Sequence, residues 1–583
     1  MVFAASALIL LIFERGRARN SLSIRQTSGL ALVLYFMFAI SIVISGWAGT
    51  PNPVRFFWGY PGRANGILYY LSILTICLIV LLLWRNQNLD YFLKLIRYGF
   101  FGLILYSAVQ YLNLDPMPWS NPYNRIIGTL GNPNFSASAL AVSGVYFLAL
   151  AYIEYEKQKN VNHVKMLLNL TLGLLAGFLA WKTESLQGLV VFLTGIVLLT
   201  LRHLFLVIRP YLLKFFIGLS AASSALFVLV SFLGLGPLGS QLQQYTLTLR
   251  SMYGGIGFKA MLSQPITGYG VDSYLIAFRE LRTPNFVNTY GTRLLTDNAH
   301  STPFQIGASF GFIPFILYLG IAFLVFFKIF KILKITKSER DLQIEVIAVL
   351  WLLLLCQSLL SIEQIGLGVM QWVLGAILLA NRATPEGQQQ ALKLRTGNSS
   401  IPSGKVLGGE IGVLLLVILA IPTIFLIRQD SAWRSLVALE VQGESDKTFV
   451  QGQLEKMGSF ILSEPDKLGP LLQKLNDAGL RDQIEPLVIE SLKVNPRDYL
   501  ANEYFSQVLR NKGDSAGELK QLNAMTYLDP WNSLLWLRIG EVNESLGNKE
   551  LAKQALARVL QVDKSVEMKT KVDNILEKIS LDE

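Results

Sequence analysis

The feature that most limits what this chain can fold into is a series of long, sparsely charged apolar stretches. They run over 29 to 47, 67 to 84, 93 to 113, 135 to 154, 166 to 182, 187 to 201, 212 to 234, 303 to 327, 343 to 361, 366 to 381 and 410 to 427. Lipid offers backbone groups no hydrogen-bond partners, and the period-two alternation of a membrane barrel is missing, so each stretch is expected to be a helix. A further apolar run, Val2 to Phe13, makes only about 18 Å of helix against a hydrocarbon core of about 30 Å. Its charges, Glu14, Arg15, Arg17 and Arg19, follow the run rather than precede it, the wrong order for a signal peptide. It reads as a short or truncated membrane helix, which brings the expected total to about twelve.

With 52% hydrophobic and 16% charged residues over 583 positions, an all-α fold is expected: a polytopic membrane bundle over 1–429, then a helical domain over 430–583. The net charge of +11 would suggest nucleic acid as the partner of a soluble protein. Here many cations sit in short loops beside apolar spans, so a membrane and no nucleic acid is expected. Arg15, Arg17, Arg19 and Arg25 after the first stretch, and Lys328, Lys331, Lys334, Lys337 and Arg340 after the ninth, mark cytoplasmic ends. Counting helices from them puts 48–66, 114–134, 183–186, 235–302, 362–365 and everything after Ile427 on the outer face of a plasma or inner membrane. Cys77 and Cys356 lie inside apolar stretches and supply neither a disulfide framework nor a thiolate metal site.

Leu235 to Thr302 is the long polar insertion between two apolar stretches, and a loop of this length without strong periodicity is usually functional. It holds five Lys or Arg (250, 259, 279, 282, 293) against three Asp or Glu (272, 280, 297), a mildly cationic balance that suits an anionic lipid head group. Arg279 and Arg293 are therefore candidate substrate-binding residues. The run Thr267-Gly268-Tyr269-Gly270 reads as a glycine turn near the membrane surface rather than a cation filter.

Three histidines exist. His163 and His203 fall by parity near the cytoplasm, while His300 stands outside, where the insertion re-enters the membrane. It is the nearby group whose ordinary pKa suits a general base. Arg250 is either a cation at the membrane interface or a forked partner for phosphate. Asn132 and Asn134 are candidates for sugar or head-group oxygens, and equally for capping the helix that begins near Phe135. No acid cluster or His/Cys set has metal-ligand spacing, and no glycine loop ends in Gly-Lys-Ser or Gly-Lys-Thr. Neither a metal nor a nucleotide cofactor is expected, so the energy for synthesis must arrive with the substrate.

Past the last apolar stretch the composition turns charged, and Gly479, Gly513 and Gly547 recur at a spacing of 34. Trp536, Gly540, Gly547 and Ala552 match the tetratricopeptide pattern, so about 471 to 563 resembles tetratricopeptide repeats. Such repeats stack into a concave surface, which implies a docking role for an acceptor or a protein partner and no catalytic group.

From about Thr129 to Leu319 the chain resembles the O-antigen ligase and polymerase superfamily of bacterial envelope enzymes. The likeness rests on Gly131-Asn132-Pro133-Asn134-Phe135, on Arg250 followed by Tyr253, Pro265, Gly268, Gly270 and Phe278, and on Asn298-Ala299-His300 leading into Gln305-Ile306-Gly307 and Phe310-Gly311-Phe312-Ile313-Pro314. Two positions depart from the family. Gln187 stands where a phosphate-binding arginine is usual, and Ser301 follows the histidine in place of asparagine. The resemblance implies a fold like that of C-type glycosyltransferases. It also implies metal-independent transfer of a glycan from a polyprenyl-diphosphate donor to the hydroxyl of a lipid, glycan or protein acceptor. His300 would then be the base and Arg250 the diphosphate clamp, with Asn132, Asn134 and Gln187 binding substrate. The alternative is a membrane transporter, since some relatives are described as bicarbonate transporters. Against it stands the lack of a charge near the middle of any apolar stretch. A scaffold acting through the repeats would not need about twelve helices.

Overall fold

A computed structural model describes residues 29–208 apart from short breaks (61–62, 85–87, within 118–125, 158–159), then 245–332, 339–381, 427–457 apart from 441–445, and 465–581, with isolated residues elsewhere. The described residues are all-helical and include no strand. Seven helices are long and apolar enough to cross a membrane. They are α1 (Gly29–Gly49), α4 (Leu89–Tyr111), α5 (Pro133–Glu156), α6 (His163–Lys182), α7 (Leu186–Ile208), α12 (Phe312–Ile332) and α13 (Glu339–Leu360). Two shorter apolar helices, α3 (Ile67–Leu83) and α14 (Ile365–Ala380), pack among them. The expected spans at 2–13 and 212–234, and nearly all of 410–427, lie outside the described residues.

Burial patterns explain the packing. Along α1 the buried positions Ala31, Tyr35, Phe38, Ile42 and Ser45 recur every three or four residues, while Leu30, Phe36, Met37 and Ile44 face outward. Such a helix presents one stripe to protein and leaves an apolar surface that only lipid would cover. Helix α5 is buried on all sides and is the axis of the bundle. Its small residues admit close neighbours: a Cβ at Gly144 would lie 3.0 Å from the carbonyl oxygen of Gly173 on α6.

At one end of the bundle, Arg202 of α7 pairs with Glu345 of α13 at 2.7 Å, and Glu154 takes Lys157 and Lys165. The Arg202–Glu345 pair stands near the ends of its two spans rather than at their middles. The opposite end collects the loops at 50–66, 112–132, 183–185 and 361–364 together with the insertion.

Two expectations about the insertion are corrected. Over its described residues, 245–302, the polar stretch is largely helical: α8 (Tyr245–Ser263), α9 (Tyr274–Leu281) and α10 (Pro284–Tyr290) bury Tyr253, Ile256, Ala260, Ala277, Phe278 and Phe286 in a cluster of their own. Its apolar residues are too few to mark a span, but enough for one face of each helix. The apolar stretch 303 to 327 is also not a single span. It breaks at Gly311, whose φ of +84° suits glycine, into α11 (Thr302–Phe310) and α12. The break frees backbone groups, and the glycine run satisfies them: Tyr269 N donates to Ala308 O at 2.8 Å, Gly270 N to Ser309 O at 3.1 Å, and Phe312 N to Pro265 O at 2.7 Å. Broken helices persist at membrane depth only where protein supplies such partners.

The C-terminal region is a stack of helix pairs. Helices α16 (Pro465–Asp477), α18 (Tyr499–Asn511) and α20 (Ser533–Ser545) begin at 465, 499 and 533, steps of 34 residues, and alternate with α17 (Ile484–Val494), α19 (Ser515–Met525) and α21 (Lys549–Val562). Gly479, Gly513 and Gly547, with φ of +70°, +74° and +76°, follow the first helix of each pair, as a left-handed C-cap requires. This stack is docked on the insertion. Asp529 accepts from Arg282 (2.6 Å) and Arg279 (3.3 Å), and the Arg282 and Asp529 side chains are 0% exposed. Arg497 pairs with Glu280, and Trp531, Trp536 and Val562 join the insertion's apolar cluster.

Candidate functional site

His300 is placed by the segment just before the broken helix. Its φ of +51° is unusual for a residue with a side chain, and neighbours hold it there: His300 N donates to Asn298 Oδ1 (2.8 Å) and Ala299 N to Gln305 Oε1 (2.9 Å). Gly257 of α8 lets Ala299 approach, since a Cβ there would lie 3.0 Å from that of Ala299. The imidazole packs over Tyr253, with ring centroids 5.2 Å apart. Tyr253 is one turn beyond Arg250 on α8, so the same helix presents both the arginine and the histidine's support.

Arg250 reaches from α8 to the ends of two bundle helices. Its Nη1 donates to Gln187 Oε1 (3.0 Å) and to the carbonyl oxygen of Leu360 (3.2 Å). Both partners are neutral, and among the described residues no carboxylate pairs with this guanidinium. Gln187 Nε2 in turn donates to Ser138 Oγ (3.1 Å), and Ser185 Oγ donates to Asn134 Oδ1 (2.7 Å). Gln187 therefore orients Arg250. Asn132 is the N-cap of α5, its Oδ1 accepting from Asn134 N at 2.9 Å.

Electrostatics tie the histidine to this cation. Burial, then the Arg250 charge, hold His300 down at about 4, with Asp297 pulling the other way and Arg63 adding to the depression. The imidazole is thus neutral at physiological pH.

Arg279 and Arg293 are not part of this constellation. Arg279 is buried, bonded to Asp529 and stacked over Tyr499 at 4.1 Å, while Arg293 is exposed on a groove beside the helix pairs. A carboxylate 250 residues downstream recruits Arg279, and sequence proximity to His300 carried no trace of it.

Arg63 and Asp272, which the sequence reading did not single out as site residues, and Glu363, which it placed on the outer face as an alternative base, lie at the same end of the bundle as His300. Arg63 pairs with the Asp297 carboxylate and donates to the Asp297 carbonyl at 3.0 Å. Asp272 is buried with φ +48°, accepts from Tyr60 N at 2.8 Å, and has its carboxyl pushed up by burial against the pull of Arg63 and Arg55. Glu363 accepts from the Tyr69 (3.2 Å) and Tyr70 (3.5 Å) hydroxyls, and desolvation pushes it up to about 7. Among the described residues, Glu184, Asp272 and His300 are three of the five non-glycine residues with positive φ, and all five lie at this end of the bundle. Such strain concentrates where a fold holds side chains for function. Arg55 and Arg63, two cations in one short loop on the expected outer face, were the signal available for this half of the site.

The arrangement can hold an anion on Arg250 beside a neutral base. Among the described residues, no three His, Cys, Asp or Glu side chains stand close enough to hold a metal. No family model and no curated protein matches the chain.

Proposed function

We propose that this chain transfers a glycan from a polyprenyl-diphosphate-linked donor to an acceptor hydroxyl at the outer face of a membrane, in the manner of O-antigen ligases and polymerases. The observation that carries the reading is Arg250. A guanidinium turned toward neutral acceptors, beside a neutral imidazole, is ready for a diphosphate and an incoming hydroxyl.

In this reaction the acceptor oxygen attacks the anomeric carbon and the bond from that carbon to the diphosphate oxygen breaks. The electron pair leaves on the diphosphate, where Arg250 stabilises it. The acceptor's proton passes to His300. A base held at about 4 is weak, and the donor itself corrects this: its negative charge offsets Arg250, the largest charge depressing His300. The histidine thus becomes a better base when the donor is in place. The helix pairs, which resemble tetratricopeptide repeats, serve docking rather than bond-breaking.

The test uses purified full-length protein with a radiolabelled lipid-linked donor and a chelator, and release of polyprenyl diphosphate with transfer of label is the expected result. Uptake of labelled bicarbonate by proteoliposomes, without any transfer of glycan, would instead establish the transporter reading. Orientation is checked separately. Cysteines placed at the exposed positions Asn285 and Ser545 should react with an impermeant reagent added outside, and one at His163, at the opposite end of the bundle, should not.

A further inference from the structure

A groove of 450 Å³ opens between the insertion and the helix pairs, with Thr292 and Leu295 on one wall and α18 to α20 on the other. Ligand sites typically enclose about 300 to 1,000 Å³. Nothing in the glycosyl-transfer chemistry above uses this space. Arg279 and Tyr499 line both this groove and a 50 Å³ cavity that reaches Tyr60, Asp272 and Asp297. Asp297 pairs with Arg63 and acts electrostatically on His300, so the groove leads toward the base through a waist made by the Arg279–Tyr499 stack.

We propose that this groove binds an extended acidic polypeptide segment, and that a hydroxyl side chain of that segment is the acceptor of the glycan. The second half rests on the glycosyl-transfer reading, and the first does not.

Charge points to an acidic ligand. The groove is lined by Arg279, Arg293, Arg510 and Arg538 against Glu503 and Glu541, four cations to two anions. Behind the wall, Arg510 and Arg538 share the single buried carboxylate of Glu518, at 2.8 and 2.9 Å, and Arg279 shares Asp529 with Arg282. Arg538 spends its remaining nitrogen on Glu541 at 2.9 Å, whereas Arg510 and Arg279 each give one nitrogen to these carboxylates and keep donors for another. Lining chemistry points to a polypeptide. Leu534 offers an exposed apolar contact suited to a peptide side chain over the buried Leu522 and Leu535, and Gln507 offers an amide at an exposed position. A glycan would need an open aromatic face. Tyr499 is the aromatic lining residue, and Arg279 covers it at 4.1 Å.

The test measures binding directly, on the full-length protein in nanodiscs. The probes are fluorescent twelve-residue peptides of repeated Gly-Ser-Glu-Thr, or the same with Gln or Lys in place of Glu, with maltoheptaose as competitor. The acidic peptide should bind at least about tenfold tighter than the basic one at low salt, with the advantage shrinking as salt rises. Gln507→Trp, which fills the groove from an exposed position, should weaken binding about tenfold or more, and Arg293→Glu about three- to tenfold. Equal affinity for acidic and basic peptides, indifference to both substitutions, or displacement by maltoheptaose overturns the groove assignment. Peptide binding without transfer of glycan to the peptide overturns the acceptor assignment and leaves the groove's ligand class standing, and the glycosyl-transfer reading falls only if lipid and glycan acceptors receive no label either.

Discussion

At the residue scale, the proposed reaction gives His300 the acceptor's proton and Arg250 the charge on the leaving diphosphate. A general base typically contributes about 100- to 10,000-fold, so His300→Ala should lower the transfer rate by that order while donor binding stays nearly unchanged. Arg250→Lys keeps the charge and loses the fork whose Nη1 holds Gln187 Oε1 and whose other donors would meet a phosphate, so turnover should fall with it as well. The pH profile tests the same assignment. A base must be neutral to act, and in the free enzyme His300 stays neutral until the pH falls toward about 4. The acid limb of kcat/KM, which reports the free enzyme, should therefore lie near 4 and not near the ordinary histidine value. A limb near 7 that disappears in Glu363→Gln would make Glu363 the base and His300 a bystander. His300 and Arg250 were legible because each stands in a motif with a recognisable neighbourhood. The partner of Arg279 was not legible, because a lone arginine in a polar stretch carries no mark of it and Asp529 is supplied by a different part of the chain.

At the element scale, the site depends on a helix that stops and restarts. Helix α11 begins directly after His300 and ends at Gly311, and the run from Pro265 to Gly270 plugs the gap. A Cβ at Gly268 would strike the backbone between Ser309 and Phe310, in a residue whose φ is +64°. Left-handed backbone alone costs an L-residue about 1 to 2 kcal/mol, and the clash adds to it. Gly268→Ala should therefore lower the melting temperature in detergent and loosen the His300 segment, seen as faster amide exchange over 296–310. Wild-type exchange in that variant would show that the glycine run does not brace the break. Sequence periodicity marked the apolar stretch but not its interruption, because a break is affordable only where backbone partners arrive from elsewhere, here from a turn 40 residues earlier.

At the scale of the whole molecule, the helix pairs are part of the insertion's core rather than a tethered arm. Asp529→Ala would leave Arg282 and Arg279 buried beside each other without their shared carboxylate, a change that costs about 3 to 5 kcal/mol when a buried pair is broken. Protease cleavage within 282–296 should then appear at concentrations that leave the parent chain intact, and unchanged resistance would show that the contact does not order the insertion. For the same reason, removal of 440 to 583 would bare Arg282, Trp531's apolar neighbours and the face under Val562, so it would disturb the insertion directly and not only acceptor docking. The sequence by itself determined the all-helical membrane class, the 34-residue helical repeat and the residues to watch, because burial periodicity, glycine spacing and charge are local properties. Only the tertiary structure decided which cations meet which carboxylates, where an apolar stretch breaks, and that Arg250 is left facing neutral partners beside His300. Those depend on contacts between residues tens to hundreds of positions apart, and no local pattern encodes them.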